Sequence, residues 1–556
     1  RSYGTLLAGV LAHRRLFFGV FGGFVVLSLG LLTFVGRDFF PATDAGQIKL
    51  HVRAPAGTRI EETERIFADV EHAIRADIPE RDLANVIDNI GIPNSSINTA
   101  LGDPSMISPA DGEILISLHE DHAPTAGYVR KLRADLNKNF PSIGFFFLAA
   151  DISTQVLNFG LSAPIDIQLA GPLPNQPANQ EIGKQLRDRV ALIPGAVDVH
   201  LHQVTAEPEL YVNVDRAMAD QLGFSQRDVA NNLLVTLASS SQVQPSFWLD
   251  TKKGVQYNVA VQTPQNRVDS IPSFQRTPIT KGATSQLLGN MATVERDVSP
   301  ANITHYNVMR TVDVLASVDG TDLGNVADKV QKLVDDIKPK LPRGTSIMIR
   351  GQVQSMNASF RGLSLGIVFA IILVYLLMVV NFQSWLDPFI ILMALPGALA
   401  GIAWMLYLTG TTLSVPSLMG AIMSIGVATA NSILLITFAN EQRELGYDAH
   451  DAALMAGMTR LRPVLMTALA MIIGMLPMSL GLGDGGEQNA PLGRAVIGGL
   501  GLATVATLFF VPAVYASLRR KAVVRSETQR ELDEDDAREA AGGHRLPPSI
   551  TPEVSQ

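Results

Sequence analysis

The sequence predicts an α-helical membrane protein: six transmembrane helices carrying one large α+β domain outside the bilayer. Three observations predict it. Six apolar stretches, at 16–35, 362–380, 388–408, 415–439, 463–482 and 495–518, contain no Asp, Glu, Lys, Arg or His. Each is long enough to cross about 30 Å of hydrocarbon, which takes about 20 helical residues. Lys and Arg gather in alternate connections between these stretches. A long segment of soluble character, about 38–354, separates the first stretch from the second.

With 556 residues the chain is too long for one ordinary domain. Hydrophobic residues make up 47% and charged residues 17%, so an apolar part and a water-soluble part coexist. A net charge of −8 argues against nucleic-acid binding, which needs a basic footprint. The absence of cysteine excludes disulfides, thiolate metal sites and cysteine nucleophiles. No cofactor motif stands in a suitable context. The opening 1–15 does not read as a cleavable signal, because no small-residue cleavage site follows its apolar run. The chain reads as a piece of a longer polypeptide.

Orientation follows from the positive-inside bias. His13, Arg14 and Arg15 precede the first stretch, Arg443, Arg460 and Arg462 lie between the fourth and fifth, and Arg519, Arg520 and Lys521 follow the sixth. The loop 409–414 has no Lys or Arg, and 483–494 has only Arg494. Residues 1–15 and the acidic, polar tail 519–556 are therefore expected in the cytoplasm, the tail disordered. Tyr447, Leu454, Met458 and Leu461 recur at helical spacing and predict a cytoplasmic interfacial helix ahead of the fifth stretch.

In the external segment, Ile48, Leu50 and Val52 alternate with polar residues as in a half-buried strand. Thr58 and Glu61 have the spacing of a capping box. Ile66, Phe67, Val70 and Ile74 then line one helix face, Ile114, Ile116 and Leu118 form a strand, 128–136 is helical, and 144–148 is a strand. The pattern repeats through Ile165, Ile167 and Leu169, a helix at Ile182, Leu186 and Val190, a strand at Val197, Val199 and Leu201, a strand at Val312 and Val314, a helix near 325–337, and Ile347 and Ile349. Two such repeats predict two ferredoxin-like α+β subdomains, at 38–160 and at 161–206 with 299–354. Residues 207–298 interrupt the second as an inserted subdomain.

Several local stretches carry more. They are Ser384-Trp385 with Pro388 and Leu395-Pro396-Gly397, the run from Gly426 through Asn431, the run from Arg460 through Arg462-Pro463 to Thr467, the loop from Gly485 to Asn489, Phe510-Val-Pro512 with Arg519-Arg520, and 209–233. Together with the order of one span, two modules and five spans, they resemble the C-terminal half of a resistance-nodulation-division (RND) efflux transporter, an acriflavine-resistance type inner-membrane permease. The resemblance covers about 7–521. It implies a proton antiporter rather than an enzyme, placed in the bacterial inner membrane as a homotrimer or related trimer. It also implies a periplasmic domain of two porter subdomains and a docking subdomain. The implied partners are the N-terminal half of the same pump, a periplasmic adaptor protein and an outer-membrane channel. The implied substrates are drugs or other hydrophobic small molecules.

Proton coupling needs titratable groups in a low-dielectric core. The resemblance implies that an aspartate pair in the other half faces a lysine of this half's fourth span. The matching position here is Ala430, a departure that requires a different charge arrangement. The resemblance places Asn431, Thr467 and Arg460 in the proton relay. Ser417 and Ser424 share a helical face with Asn431 at spacings of seven and read as close-packing positions. Phe145 and Phe147 share one face of their strand, and the resemblance makes them candidates to line a substrate pocket. It equates the loop 91–112 with a switch loop, here without phenylalanines. His200 and His202 read as solvated surface residues, and no metal site is expected. Two other readings compete. One is heavy-metal cation efflux, for which the external methionines Met106, Met218, Met291, Met309, Met348 and Met356 are dispersed. The other is a non-transporting membrane scaffold.

Overall fold

The computed structural model describes residues 2–92, 105–158, 160–483 and 485–519. Most of the loop 91–112 and the tail from 520 onward lie outside these described residues.

The first module opens with β1 (Gln47–Arg53), followed by the helix Ile60–Asp77, β2 (Leu83–Ile90), β3 (Asp111–Leu118), the helix Thr125–Asn139 and β4 (Gly144–Leu148). Its antiparallel sheet has the order β2-β3-β1-β4. Alternation sends Leu50, Val52, Ile114, Ile116, Phe145 and Phe147 to one face, where Phe67, Val70, Ile74, Leu132 and Leu136 of the two helices cover them. Burying each such side chain contributes about 1.5–3 kcal/mol. The expected capping box does not form. Thr58 spends its hydroxyl on Pro55 O at 2.6 Å in the preceding turn, and the helix starts at Ile60 with no side-chain cap.

The second module begins with β5 (Ile165–Gly171), the helix Gln176–Ala191 and β6 (Ala196–Leu201). The chain then leaves through β7 (Glu207–Val214), passes the hairpins β8 (Ser246–Asp250) with β9 (Val255–Val259) and β10 (Pro278–Lys281) with β11 (Thr284–Leu287), and returns through β12 (Ala292–Ser299). β7 and β12 pair side by side from Glu207↔Ser299 to Val214↔Ala292. This insertion has its own small core of Ala219, Phe224, Val229, Phe274, Ile279 and Leu288. Ser225 caps its longest helix, Gln226–Ala238, with a reciprocal capping box to Asp228. After the return come β13 (His305–Tyr306), β14 (Met309–Val318), the helix Leu323–Ile337 and β15 (Ser346–Gly351). β14 pairs with both β6 and β5, and β5 with β15, so the module repeats the strand order of the first.

Among the described residues, six helices are long and apolar enough to cross a membrane: Arg14–Leu31, Gln352–Phe382, Leu386–Leu408, Val415–Glu444, Ala449–Ser479 and Gly486–Leu518. Apart from the first, which stops at Leu31, they outrun the apolar stretches read from the sequence, because helical hydrogen bonding continues where hydropathy stops. The extra turns bring Asp387, Arg443, Arg460, Glu487 and Arg494 onto these helices. The expected interfacial helix is not separate. Ala449–Ser479 runs unbroken through Pro463 into the fifth span.

The sixth helix contains a π-turn at Ala506–Phe510, directly before Pro512. Proline has no N–H and crowds the carbonyl four residues back. That carbonyl, Leu508 O, instead accepts a hydrogen bond from the Tyr3 hydroxyl at 2.7 Å. The short N-terminal helix Ser2–Ala12 is thereby tied to the bundle, with Leu7 buried beside Gly457.

The third and sixth helices touch backbone to backbone at Gly401 and Gly498. A Cβ on Gly401 would stand 2.1 Å from Gly498 O, whereas one on Gly501 would meet nothing. Small residues are what allow such close packing between membrane helices. Gly401→Ala is expected to destabilise the bundle by about 1–3 kcal/mol through overpacking. Gly501→Ala should leave thermal unfolding in detergent unchanged or slightly raised. Equal melting of the two variants would contradict this account of the contact.

Candidate functional site

Two places stand out among the described residues: a polar contact between the fourth and fifth helices, and a cavity where both modules meet the membrane helices. In the first, the Thr467 hydroxyl donates to Asn431 Oδ1 at 2.9 Å and also reaches Val464 O at 3.0 Å. Asn431 is buried while Thr467 lies on the open side of the bundle. Arg460 stands two helical turns nearer the start of the same helix, its guanidinium 5.1 Å over the Phe438 ring. Its Nε has no hydrogen-bond partner among the described residues. The structure thus brings Asn431 and Thr467 together and sets Arg460 apart from them. Ala430 is exposed on the bundle surface. Ser417 is spent on capping the fourth helix, donating to Ser414 O at 2.7 Å and accepting from Ser414 N at 2.8 Å. Ser424 donates back to Gly420 O at 2.9 Å and packs against Gly499.

The cavity has a volume of about 610 Å³. Phe40, Phe147, Val129, Leu148 and Leu157 supply its apolar wall. Its charged lining is Asp38, Asp44, Asp198, Asp319 and Glu487 against Arg133, so carboxylates outnumber cations five to one. Arg133 grips Asp198 with two hydrogen bonds, at 2.9 and 3.0 Å, and Asp319 with one at 2.7 Å. Its guanidinium lies 5.1 Å over the Phe147 ring. Burial pushes the Asp44 carboxyl up, but the hydroxyl and amide of Thr125 more than offset this and hold it below the usual carboxylate range. Burial raises Asp38 above that range despite a hydrogen bond from Leu323 N at 2.7 Å. Glu487, at the head of the sixth helix, accepts from Asp44 N at 2.9 Å, so the cavity wall is fastened to a membrane helix. Phe147 therefore has one side in the module core and one on the cavity, whereas Phe145 is buried against Phe140.

The sequence reading missed two polar clusters. At the end of the bundle carrying the basic connections, Asp387 is buried and receives Arg519 Nε at 3.0 Å and Asn440 Nδ2 at 3.3 Å. The Tyr515 hydroxyl donates to Asn440 Oδ1 at 2.6 Å, and Arg519 also donates to Ser384 Oγ at 3.1 Å. The third, fourth and sixth helices are thereby joined through one ion pair. The second cluster lies between the modules. His200 and His202 are buried there rather than solvated, because the polar faces of the two sheets cover each other. Phe146, on the face opposite Phe145 and Phe147, is stacked between His51 at 4.8 Å and His200 at 3.8 Å. Burial drives the His200 imidazole down to about 3, so it is neutral, its Nδ1–H donating to Asp198 O at 2.7 Å. His51 Nε2 is 3.1 Å from Asp111 Oδ1, and Arg53 Nε is 2.5 Å from the same oxygen.

Comparison with known proteins adds a frame to this geometry. Residues 1–519 match the AcrB/AcrD/AcrF family. The cation efflux system protein CzcA of Alcaligenes sp. (strain CT14) is 25% identical over 534 residues, 94% of this chain and 48% of that protein. The protein HelA of Legionella pneumophila is 27% identical over 547 residues, 96% of this chain and 50% of that protein. A heavy-metal efflux pump crystal structure superposes with a TM-score of 0.79 at 24% identity, covering 94% of this chain and 51% of that one. That likeness bears on the fold alone. The chain spans about half the length of the curated relatives it matches.

Proposed function

Because the chain belongs to the AcrB/AcrD/AcrF family of RND transporters, we propose that it is the C-terminal half of a proton-driven inner-membrane efflux permease exporting hydrophobic small molecules, cationic ones foremost. The cavity carries this reading. An apolar wall with aromatic rings accepts a hydrophobic body, and an excess of carboxylates selects a positive charge. The bond from Asp44 N to Glu487 gives membrane-helix movement a direct route to that wall. Asn431 and Thr467 form the polar step of the proton relay in this half, with Arg460 nearer the cytoplasm. The two modules act as periplasmic porter subdomains and the insertion 207–298 docks toward an outer-membrane channel. The N-terminal half of the pump, a trimeric assembly and a periplasmic adaptor complete the machine.

A second reading is export of metal cations, favoured by the name of the CzcA relative. The structure offers it the buried pair His51 and Asp111, but no three His, Asp or Glu side chains among the described residues are grouped to hold a metal ion. Against it, the Asp111 oxygen nearest His51 is already held by the Arg53 guanidinium, which a metal ion would have to displace.

The two readings separate in a strain lacking the gene and complemented with the complete protein. Resistance to lipophilic organic cations should return, and tolerance of zinc, cobalt and cadmium should not. Restored metal tolerance alone would establish the second reading. In the same assay Phe147→Ala is expected to change the substrate profile, with resistance to some compounds falling several-fold. Phe147→Leu, which keeps most of the apolar volume that Phe147→Ala deletes at a cost of about 3–5 kcal/mol, controls for stability. An identical profile across many compounds would remove Phe147 from the cavity's working surface.

A further inference from the structure

Asp166, on β5, is buried and its Oδ1 makes no hydrogen bond among the described residues. It lies on the polar face of the second module's sheet, because its neighbours Ile165 and Ile167 fill the core on the other face. β15 brings Arg350 directly opposite it, and β14 brings Asp313 onto the same face. Asp313 is fully provided for. It accepts Gln168 Nε2 at 2.8 Å, Gln203 Nε2 at 2.6 Å and the Thr311 hydroxyl at 3.0 Å. Among the described residues Asp166 Oδ1 has no such donor, and the Asp313 carboxyl shares its face of the sheet. Burial, and then Asp313, push it up to about 8 against the pull of Arg350. It keeps its proton at neutral pH.

The neighbours of Asp166 hold the two roots of the insertion. Gln203 lies just before the departing strand and Thr304 just after the returning one. The Gln203 side chain donates to Thr304 Oγ1 at 2.6 Å as well as to Asp313, and accepts Asp313 N at 2.9 Å. Val204 N donates to Asn302 Oδ1 at 3.1 Å across the same junction. Arg350 lies 4.1 Å over the Tyr306 ring on β13 and donates to Gln168 Oε1 at 3.3 Å. Arg350 therefore binds the returning root and the bridge to Asp313, not Asp166.

We propose that Asp166 is a proton-binding site outside the membrane helices that sets how firmly the insertion is rooted in the second module. With the proton in place, Asp313 and Arg350 keep their grips on both roots. When the proton leaves, the new carboxylate repels Asp313 and draws Arg350 away from Tyr306 and Gln168. Both roots then loosen. The other titratable or charged groups on this face, His200 and His202 near β6 with Arg53 and His51 reaching His200 from the first module, lie beyond β14. The sign follows from linkage. The folded-state value is above the unfolded one, so the stabilisation is complete at low pH and is lost as pH rises toward about 8.

Hydrogen–deuterium exchange of the complete chain in detergent, corrected for the intrinsic pH dependence of exchange, tests this between about pH 6 and 9. Amides of 203–206 and 299–306 should lose protection by about tenfold or more across that range, while the core strands β5 and β14 keep theirs. Asp166→Asn, which imitates the protonated acid, should stay protected throughout. A flat wild-type profile would overturn the proposal, and this arm needs no variant to fold. So would an unchanged loss in Asp166→Asn, or a loss spread evenly over the whole module.

Discussion

Thr467→Ala in the assembled pump is expected to lower export by about a hundredfold, the scale of losing a positioned proton-transfer group, with the protein still reaching wild-type levels in the membrane. The expectation rests on the proposed relay and on the bond from the Thr467 hydroxyl to Asn431 Oδ1 at 2.9 Å. If that bond serves only packing, its loss costs about 1 kcal/mol and export is barely touched. Thr467→Ser keeps the hydroxyl and should retain most activity. Measured substrate export with matched expression decides between these outcomes. Full resistance in the alanine variant would take Thr467 out of the relay.

The second large effect is expected at Asp387. Replacing it by alanine strands the Arg519 guanidinium and leaves Asn440 without its acceptor. Removing one member of a buried pair costs about 3–5 kcal/mol, because the remaining charge is left uncompensated. Arg519 is 30% exposed, so water softens the penalty toward the lower end. Thermal unfolding in detergent should show a clear drop for Asp387→Ala. The double change Asp387→Leu with Arg519→Met should recover most of it, since both charges leave together. A single variant as stable as the wild type would mean that the ion pair does not hold these three helix ends.

Much of the fold was legible because period-2 and helical patterns are local. The strand Gly144–Leu148 has the bounds that the pattern predicts. What was not legible depends on partners. Alternation puts Phe146 and the two histidines on faces, but it does not say that a second sheet covers those faces. The histidines were therefore read as solvated when they are buried. Asp387 stands just outside the apolar stretch, which starts at Pro388, while the helix begins at Leu386 and so includes it. Asn431 and Thr467 are on different helices, and no spacing within either helix could join them. They were singled out by resemblance, and the structure adds their hydrogen bond. The Tyr3 bond to Leu508 O could be half anticipated, since Pro512 leaves that carbonyl without its usual donor. Nothing in the sequence says which distant hydroxyl supplies one.

The pairing of β7 with β12 means that the chain departs from the second module and comes back to it at adjoining points. A lobe attached in this way can be exchanged for a different one without re-threading the host sheet. The inserted lobe is therefore free to diversify over evolutionary time, graft by graft, while its host module stays the same.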